Sequence, residues 1–248
     1  MTLRIVDEGH GSMRYDPAKN KKKIGIIFPG QGTQFVGMGK ELYDNERIVQ
    51  EVFEEASLCL NTNFVQLCFA SSEKLLRETV NSQTAIFVVS AAIYRLLNQK
   101  YGIVPDLVAG HSLGEYSAIH AVGGLNFPDT LYLLNKRATL MDQFIKQQSG
   151  AMLAVLGFGE EKLRLICAQY DQPENNEHVA EIANYNASTQ VVVSGTMQEL
   201  EHIKSDVEIM RGKAIMLPVD GAFHCRLLRE AENQFSRYLV KVDFKELQ

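Results

Sequence analysis

From Gly150 onward the chain alternates short apolar runs with amphipathic ones in a fixed order. "AMLAVLGF", "EIANYNA", "VVVSG" and "AIMLPV" have the length and apolar content of strands, and "EEKLRLICAQY" and "MQELEHIKSDVEI" carry apolar residues at helical spacing. In chain order this reads β-α-β-β-α-β, the ferredoxin-like pattern, so a small inserted domain is expected between Ser149 and Leu217.

The flanking sequence has a different character. Ile24 to Phe28, "IGIIF", is β-branched, apolar and stopped by "PGQG", which suits a strand buried on both faces. "KELYDNERIVQEVFEEASLCL" places Leu42, Val49, Val52, Phe53 and Ala56 near helical spacing. A second helical pattern fills "SEKLLRETVNSQTAIFVVSAAIYRLLNQKYG", with a break expected around Asn81 and Ser82, and its later half is apolar nearly all round, as in a helix buried at the centre of a domain. "DLVAGHS" gives another strand and turn; "GEYSAIHAVGGL" and "FPDTLYLLNKRATLMDQFIKQQ" give two more helices, the second with Pro128 in its first turn. The expectation is an α/β chain: residues 23–148 and 218–248 as a large domain around a parallel sheet, residues 149–217 as the small one, and residues 1–22 as a disordered leader or vector remnant.

Composition closes off several function classes. Of 248 residues 46% are hydrophobic, enough for a sizeable core. Lysine plus arginine number 25 against 30 aspartate plus glutamate, a formal charge of −5, which argues against a nucleic-acid or polybasic membrane surface. The four cysteines, Cys59, Cys68, Cys167 and Cys225, show no CxxC spacing; they suggest neither a metal site nor a disulfide framework, and point to a reducing, cytoplasmic setting. No stretch approaches the ~18 uninterrupted apolar residues of a membrane span.

Four separated motifs carry chemistry. Gly110-His111-Ser112-Leu113-Gly114 matches G-x-S-x-G, in which small residues let a strand turn sharply into a helix and lift a serine hydroxyl clear. Such a turn aims the Leu113 N–H at the oxygen of a bound acyl group; the rival reading is a plain strand-to-helix loop. "FPGQGTQ" also follows a strand, but Phe35 stands where a dinucleotide fingerprint needs glycine, and the Gly-Lys-Ser/Thr end of a phosphate loop is missing. Its Gln31 can instead present a second backbone N–H to an oxyanion, or simply sit exposed in a tight turn. Among six histidines, His10, His178 and His202 read as solvated surface, His111 belongs to the elbow, and His120 reads as a packing or capping residue. His224, in "PVDGAFHCRLL", follows a strand and is the candidate general base and acid; the alternative is a hydrogen-bonded histidine at a helix start. Arg137 lies among apolar neighbours, Leu133, Leu134, Leu140 and Met141, where a planar guanidinium suits a carboxylate partner, although a snorkelling surface arginine is the more common case.

"FPGQGTQFVGMG", "GHSLGEYSA", "KRATLMDQ", "GAMLAVLG", "IANYNASTQVVVSG" and "GAFH", in this order and approximate spacing, resemble the malonyl-CoA:acyl carrier protein transacylases of fatty-acid and polyketide synthesis over Lys23 to about Phe244. The resemblance implies an α/β-hydrolase-like large domain with a ferredoxin-like insertion. It implies Ser112 as nucleophile, His224 as base and acid, Gln31 and Leu113 as oxyanion donors, and Arg137 as the group that binds malonate's free carboxylate, with Phe223 and His111 also at the substrate. A bulky Phe223 implies malonyl rather than methylmalonyl selection, because it leaves less room for an α-branch. Malonyl-CoA is the implied substrate and the phosphopantetheine thiol of an acyl carrier protein the acceptor; no cofactor bound by the protein, no nucleic acid, no membrane and a monomer are expected. The family also continues past the position of Gln248 with a segment that braces the histidine, and often has proline where Thr84 stands. An editing acyl hydrolase or a non-catalytic carrier-protein docking module are the rival functions.

Overall fold

A computed structural model describes residues 23–246. The leader expected over residues 1–22 lies outside them. Strand β1 (Gly25–Phe28) is followed by α1 (Lys40–Asn45), α2 (Arg47–Leu60), α3 (Phe64–Phe69), α4 (Glu73–Arg77), α5 (Thr79–Tyr101), β2 (Leu107–Gly110), α6 (Gly114–Ala121) and α7 (Phe127–Ile145). Then come β3 (Gly150–Leu156), α8 (Glu160–Tyr170), β4 (Ala180–Ala187), β5 (Gln190–Thr196), α9 (Met197–Ile209), β6 (Lys213–Met216), a 3-10 turn (Arg226–Leu228) and α10 (Arg229–Leu239). The chain divides into two compact units, one comprising the described residues up to Lys136 with those from Lys241, the other Arg137–Val240.

In the first unit β1 and β2 pair in parallel, Gly25 opposite Leu107 and Phe28 opposite Gly110. One face of this pair is covered: Ile26 and Phe28 pack with Ala118 and Ala121 of α6. The other is open, with Ile27 72% and Leu107 70% exposed. The expectation of a strand buried on both faces is therefore corrected; an apolar run fixes a strand but not how many layers lie against it.

The helices follow the apolar periodicity with two displaced breaks. Val49, Val52, Phe53 and Ala56 are buried along α2 as their spacing requires, but Leu42 belongs to the separate helix α1, because Glu46 takes an extended conformation between them. The break expected around Asn81 and Ser82 falls instead at Glu78, whose ψ of 134° leaves helical space. Asn81 serves the break without being it: its Nδ2 donates to the Leu75 carbonyl at 2.9 Å and to Glu78 at 3.1 Å. From there α5 runs uninterrupted through the core, burying Ala85, Ile86, Phe87, Val88, Ala91, Ala92 and Leu96 against α2, α3 and Phe127, Leu131 and Leu134 of α7. It is long and apolar enough to cross a membrane by length and composition, yet most of that stretch is buried inside the protein.

The second unit contains the β-α-β-β-α-β segment. Its antiparallel sheet has the order β4-β5-β3-β6, with Ala151 opposite Gly195 and Leu156 opposite Lys213. One face meets α8 and α9 through Leu153, Val155, Val193, Leu163, Ile166, Leu200, Ile203 and Val207. The other carries Met152, Ala154 and Val192 with Met141, Ile145 and Phe223. The alternation is that of strands packed on both sides, each face taking every second residue.

All four cysteines are free thiols. Burial pushes Cys68 and Cys167 up to about 12, so neither forms appreciable thiolate near neutral pH. At pH 8 a maleimide is expected to label exposed Cys59 in the native protein and to reach Cys68 and Cys167 only after denaturation; peptide mapping of rapid native labelling at Cys68 would contradict that burial.

Candidate active site

The elbow is built from a strand end, a forced turn and a helix start. The β1–β2 pairing extends one step, His111 N–H donating to the Phe28 carbonyl at 3.1 Å. Ser112 then takes a φ of 54°, and three short bonds close the turn at once: Gly114 N–H to His111 O at 2.9 Å, Glu115 N–H to Ser112 O at 3.1 Å and Tyr116 N–H to Leu113 O at 3.1 Å. For a residue with a Cβ this left-handed conformation costs about 1–2 kcal/mol. Four non-glycine residues adopt it among the described residues: Asn61, Ser112, Arg211 and His224. Asn61 and Arg211 end helices α2 and α9, where it is ordinary. Ser112 and His224 end none, and such unexplained strain concentrates at functional residues.

The glycines on either side are needed for space. A Cβ on Gly110 would stand 2.0 Å from the Gly114 carbonyl carbon, and one on Gly114 would stand 2.4 Å from the Phe28 carbonyl oxygen. The "PGQG" turn packs directly on this elbow, since a Cβ on Gly30 would lie 2.6 Å from His111 Nδ1. Thr33 Oγ1 donates to the Gly30 carbonyl at 2.8 Å, and Gly32, with φ 98°, gives its N–H to Gln34 Oε1 at 2.8 Å. The Gln31 side chain leans on α5 through long contacts, Nε2 to Thr79 Oγ1 at 3.4 Å and Oε1 from Gln83 Nε2 at 3.5 Å. The backbone N–H groups of Gln31 and Leu113 donate to no carbonyl among the described residues. Leu113 itself is wholly buried in the core, which fixes its backbone at the start of α6, where the helix dipole favours negative charge. Gln31, His111, Ser112 and Leu113 are thus brought together within the first unit.

Arg137, Phe223 and His224 belong to the second. Arg137 is half-buried on α7, one turn before Met141. Phe223 is 5% exposed and packs with Met141, Ile145 and Met152, while His224 next to it is exposed. Gly221 makes room for Ile145, whose Cγ2 would lie 2.2 Å from a Cβ there.

Of the remaining histidines, His120 packs as expected: its Nδ1 lies 3.0 Å from the Leu125 carbonyl, and burial holds its pKa below the usual value. His178 is not mere solvated surface, because its Nδ1 lies 2.7 Å from Oε1 of the buried Glu199. His202 is exposed, with its ring 5.2 Å from that of Tyr170. Thr79 and Gln83, which support Gln31, escaped the sequence reading, because they stand beside Asn81, Ser82 and Thr84 in the polar first turns of α5, where residue type alone does not single them out.

Residues 26–246 match the family described as "Acyl transferase domain". A malonyl CoA-acyl carrier protein transacylase of Bacillus subtilis (strain 168) is 38% identical over 226 residues, 90% of this chain and 70% of that protein. The crystal structure of a malonyl CoA-acyl carrier protein transacylase from Clostridium perfringens superposes with a TM-score of 0.85 at 37% identity, over 91% of this chain and 70% of that one. A type II PKS acyl-carrier protein in complex with its malonyl-transacylase gives a TM-score of 0.85 at 31% identity, over 90% of this chain and 72% of the other. With a strained serine between two sterically required glycines, and a family match spanning nearly the whole described chain, the protein is an acyltransferase and belongs to the acyl transferase domain family.

Proposed function

We propose that this chain moves a malonyl group from malonyl-CoA to the phosphopantetheine thiol of an acyl carrier protein, through a covalent ester on Ser112. The observation that carries the reading is the left-handed Ser112 at a strand-to-helix junction, a conformation held at a position where no helix ends. The Ser112 oxygen attacks the thioester carbonyl and its proton passes to His224; the oxyanion is held by the N–H groups of Gln31 and Leu113. The carbon–sulfur bond breaks, and coenzyme A leaves as a thiol with the proton returned by His224. In the second half the carrier thiol gives its proton to His224 and attacks the ester, and Ser112 leaves with that proton, which is ping-pong chemistry.

Arg137 holds the free carboxylate of the malonyl group bidentately. Phe223 and His111 complete the substrate surroundings, and Phe223 restricts an α-branch. No resident cofactor or metal is required, and the expectations of a monomer in a reducing cytoplasm, without nucleic acid or membrane as partner, stand as part of this reading. So does the domain assignment: residues 23–148 and 218–248 as an α/β-hydrolase-like domain and 149–217 as a ferredoxin-like one. The sheet order β4-β5-β3-β6 supports the latter.

The test is intact-mass spectrometry after mixing the chain with malonyl-CoA. One malonyl group per chain on the peptide bearing Ser112, discharged by holo acyl carrier protein, is the expected result. Release of coenzyme A without an adduct or transfer would mark a hydrolase instead, and neither release nor adduct a non-catalytic module.

A further inference from the structure

His224 sits two residues before a side chain with an unusual set of bonds. Arg226 Nη1 donates to Asp171 Oδ1 and to Glu181 Oε1, each at 2.6 Å. Its Nη2 donates to the carbonyls of Gln172 at 2.8 Å, His178 at 2.9 Å and Asn175 at 3.3 Å. The Arg226 backbone N–H adds a bond to Glu181 Oε2 at 2.9 Å, and the side chain is only 8% exposed. One residue therefore ties the 3-10 turn to the end of α8, to the loop that follows and to the start of β4. Only a guanidinium reaches so many acceptors in one plane; an ammonium at the same place is a point charge.

The segment is held from its other end too. A Cβ on Gly150 would lie 2.6 Å from the Ala222 Cβ, Gly221 abuts Ile145, and Phe223 is buried with Met141 and Met152. His224 is the exposed residue between these anchors, and its φ of 60° is a conformation it holds only if its surroundings impose it.

We propose that Arg226 is a positioning residue for His224, fixing the backbone that presents the imidazole. The inference rests on the reading of His224 as the general base. It makes Asp171 and Glu181 indirect supports of catalysis, although both belong to the β-α-β-β-α-β segment and neither has a part in the chemistry.

The test is a double-variant cycle on the full chain, measuring the rate of Ser112 acylation at saturating malonyl-CoA, the half-saturating concentration and the melting temperature. Arg226→Gln is expected to slow acylation about 10- to 100-fold, the size expected for a misplaced catalytic group, with half-saturation within about twofold. Arg226→Lys keeps the charge and regains melting temperature more fully than rate. In the background of His224→Ala, Arg226→Gln should cost less than about twofold more, since a residue acting through the imidazole has nothing left to position. If His224→Ala is slow and the two losses multiply, Arg226 acts on the fold at large and the inference fails alone; an unslowed Arg226→Gln also overturns it. If His224→Ala acylates at the native rate, the base assignment fails and takes the inference with it. Should Arg226→Gln not fold, Glu181→Gln enters the same cycle with an expected loss of about 3- to 10-fold.

Discussion

Replacing Ser112 with alanine is expected to leave the chain unable to take up an acyl group, with transfer to the carrier protein reduced on the order of 10⁴-fold or more, the scale of a lost nucleophile. The fold should survive. Alanine keeps the Cβ and so keeps the same steric cost at φ 54°, and the turn's closing bonds run through the backbone of residues 111 to 116. Ser112→Gly makes the argument sharper. Glycine relieves about 1–2 kcal/mol of left-handed strain and gives back about 0.5–1 kcal/mol in unfolded-chain entropy, so this variant should be equally inactive yet as stable as the native chain or slightly more so. Thermal melts and intact-mass spectra of both variants check the pair. A malonyl adduct that persists in Ser112→Ala would assign the nucleophile elsewhere, and a destabilised Ser112→Gly would mean that the strain has a structural purpose after all.

That contrast bears on what the sequence could and could not disclose. The order of strands and helices was legible because burial of one face imposes a period, and Val49, Val52, Phe53 and Ala56 or the runs "AMLAVLG" and "VVVSG" carry that period in residue types alone. The helix breaks at Glu46 and Glu78 were not legible. They are single-residue dihedral events at glutamates, ordinary helix formers, and one is supported by an asparagine three positions away. The open face of β1 was hidden for a different reason, since Ile27 is as apolar as Ile26 whatever stands beside it. Among the candidate site residues, residue chemistry singled out Ser112, His224, Gln31 and Arg137, but the positive φ of Ser112 and His224 is a property of the folded backbone. Arg226 gave no signal at all. An arginine two residues after a histidine looks like surface until α8, β4 and the loop between them are seen to surround it.

Alanine at Gly110 or Gly114 is the larger structural perturbation and should be felt in both stability and rate. Neither glycine is required for a positive φ; each is required because the chain passes through the space a side chain would fill. The obstacles are backbone atoms, the Gly114 carbonyl group and Glu115 nitrogen at 2.0 to 2.2 Å in the first case and the Phe28 and Pro29 carbonyl oxygens at 2.4 and 2.8 Å in the second. No rotamer change can clear them, so β2 must move from α6 or the "PGQG" turn must move from the elbow. Overpacking of this kind costs about 1–3 kcal/mol or more, and at about 2–4 °C of melting temperature per kcal/mol for a chain of this size the loss should be plain. On the proposed mechanism the same movement shifts the Gln31 and Leu113 N–H groups relative to Ser112, and a displacement near 1 Å is worth about 10²-fold in acylation rate. Gly25→Ala is the matched control, because it lies in β1 of the same pair and a Cβ there meets nothing within 4 Å. It should melt and acylate like the native chain. Equal behaviour of Gly25→Ala and Gly114→Ala would show that the close approach of the first turn to the elbow is dispensable, and the oxyanion donors would then have to be sought elsewhere.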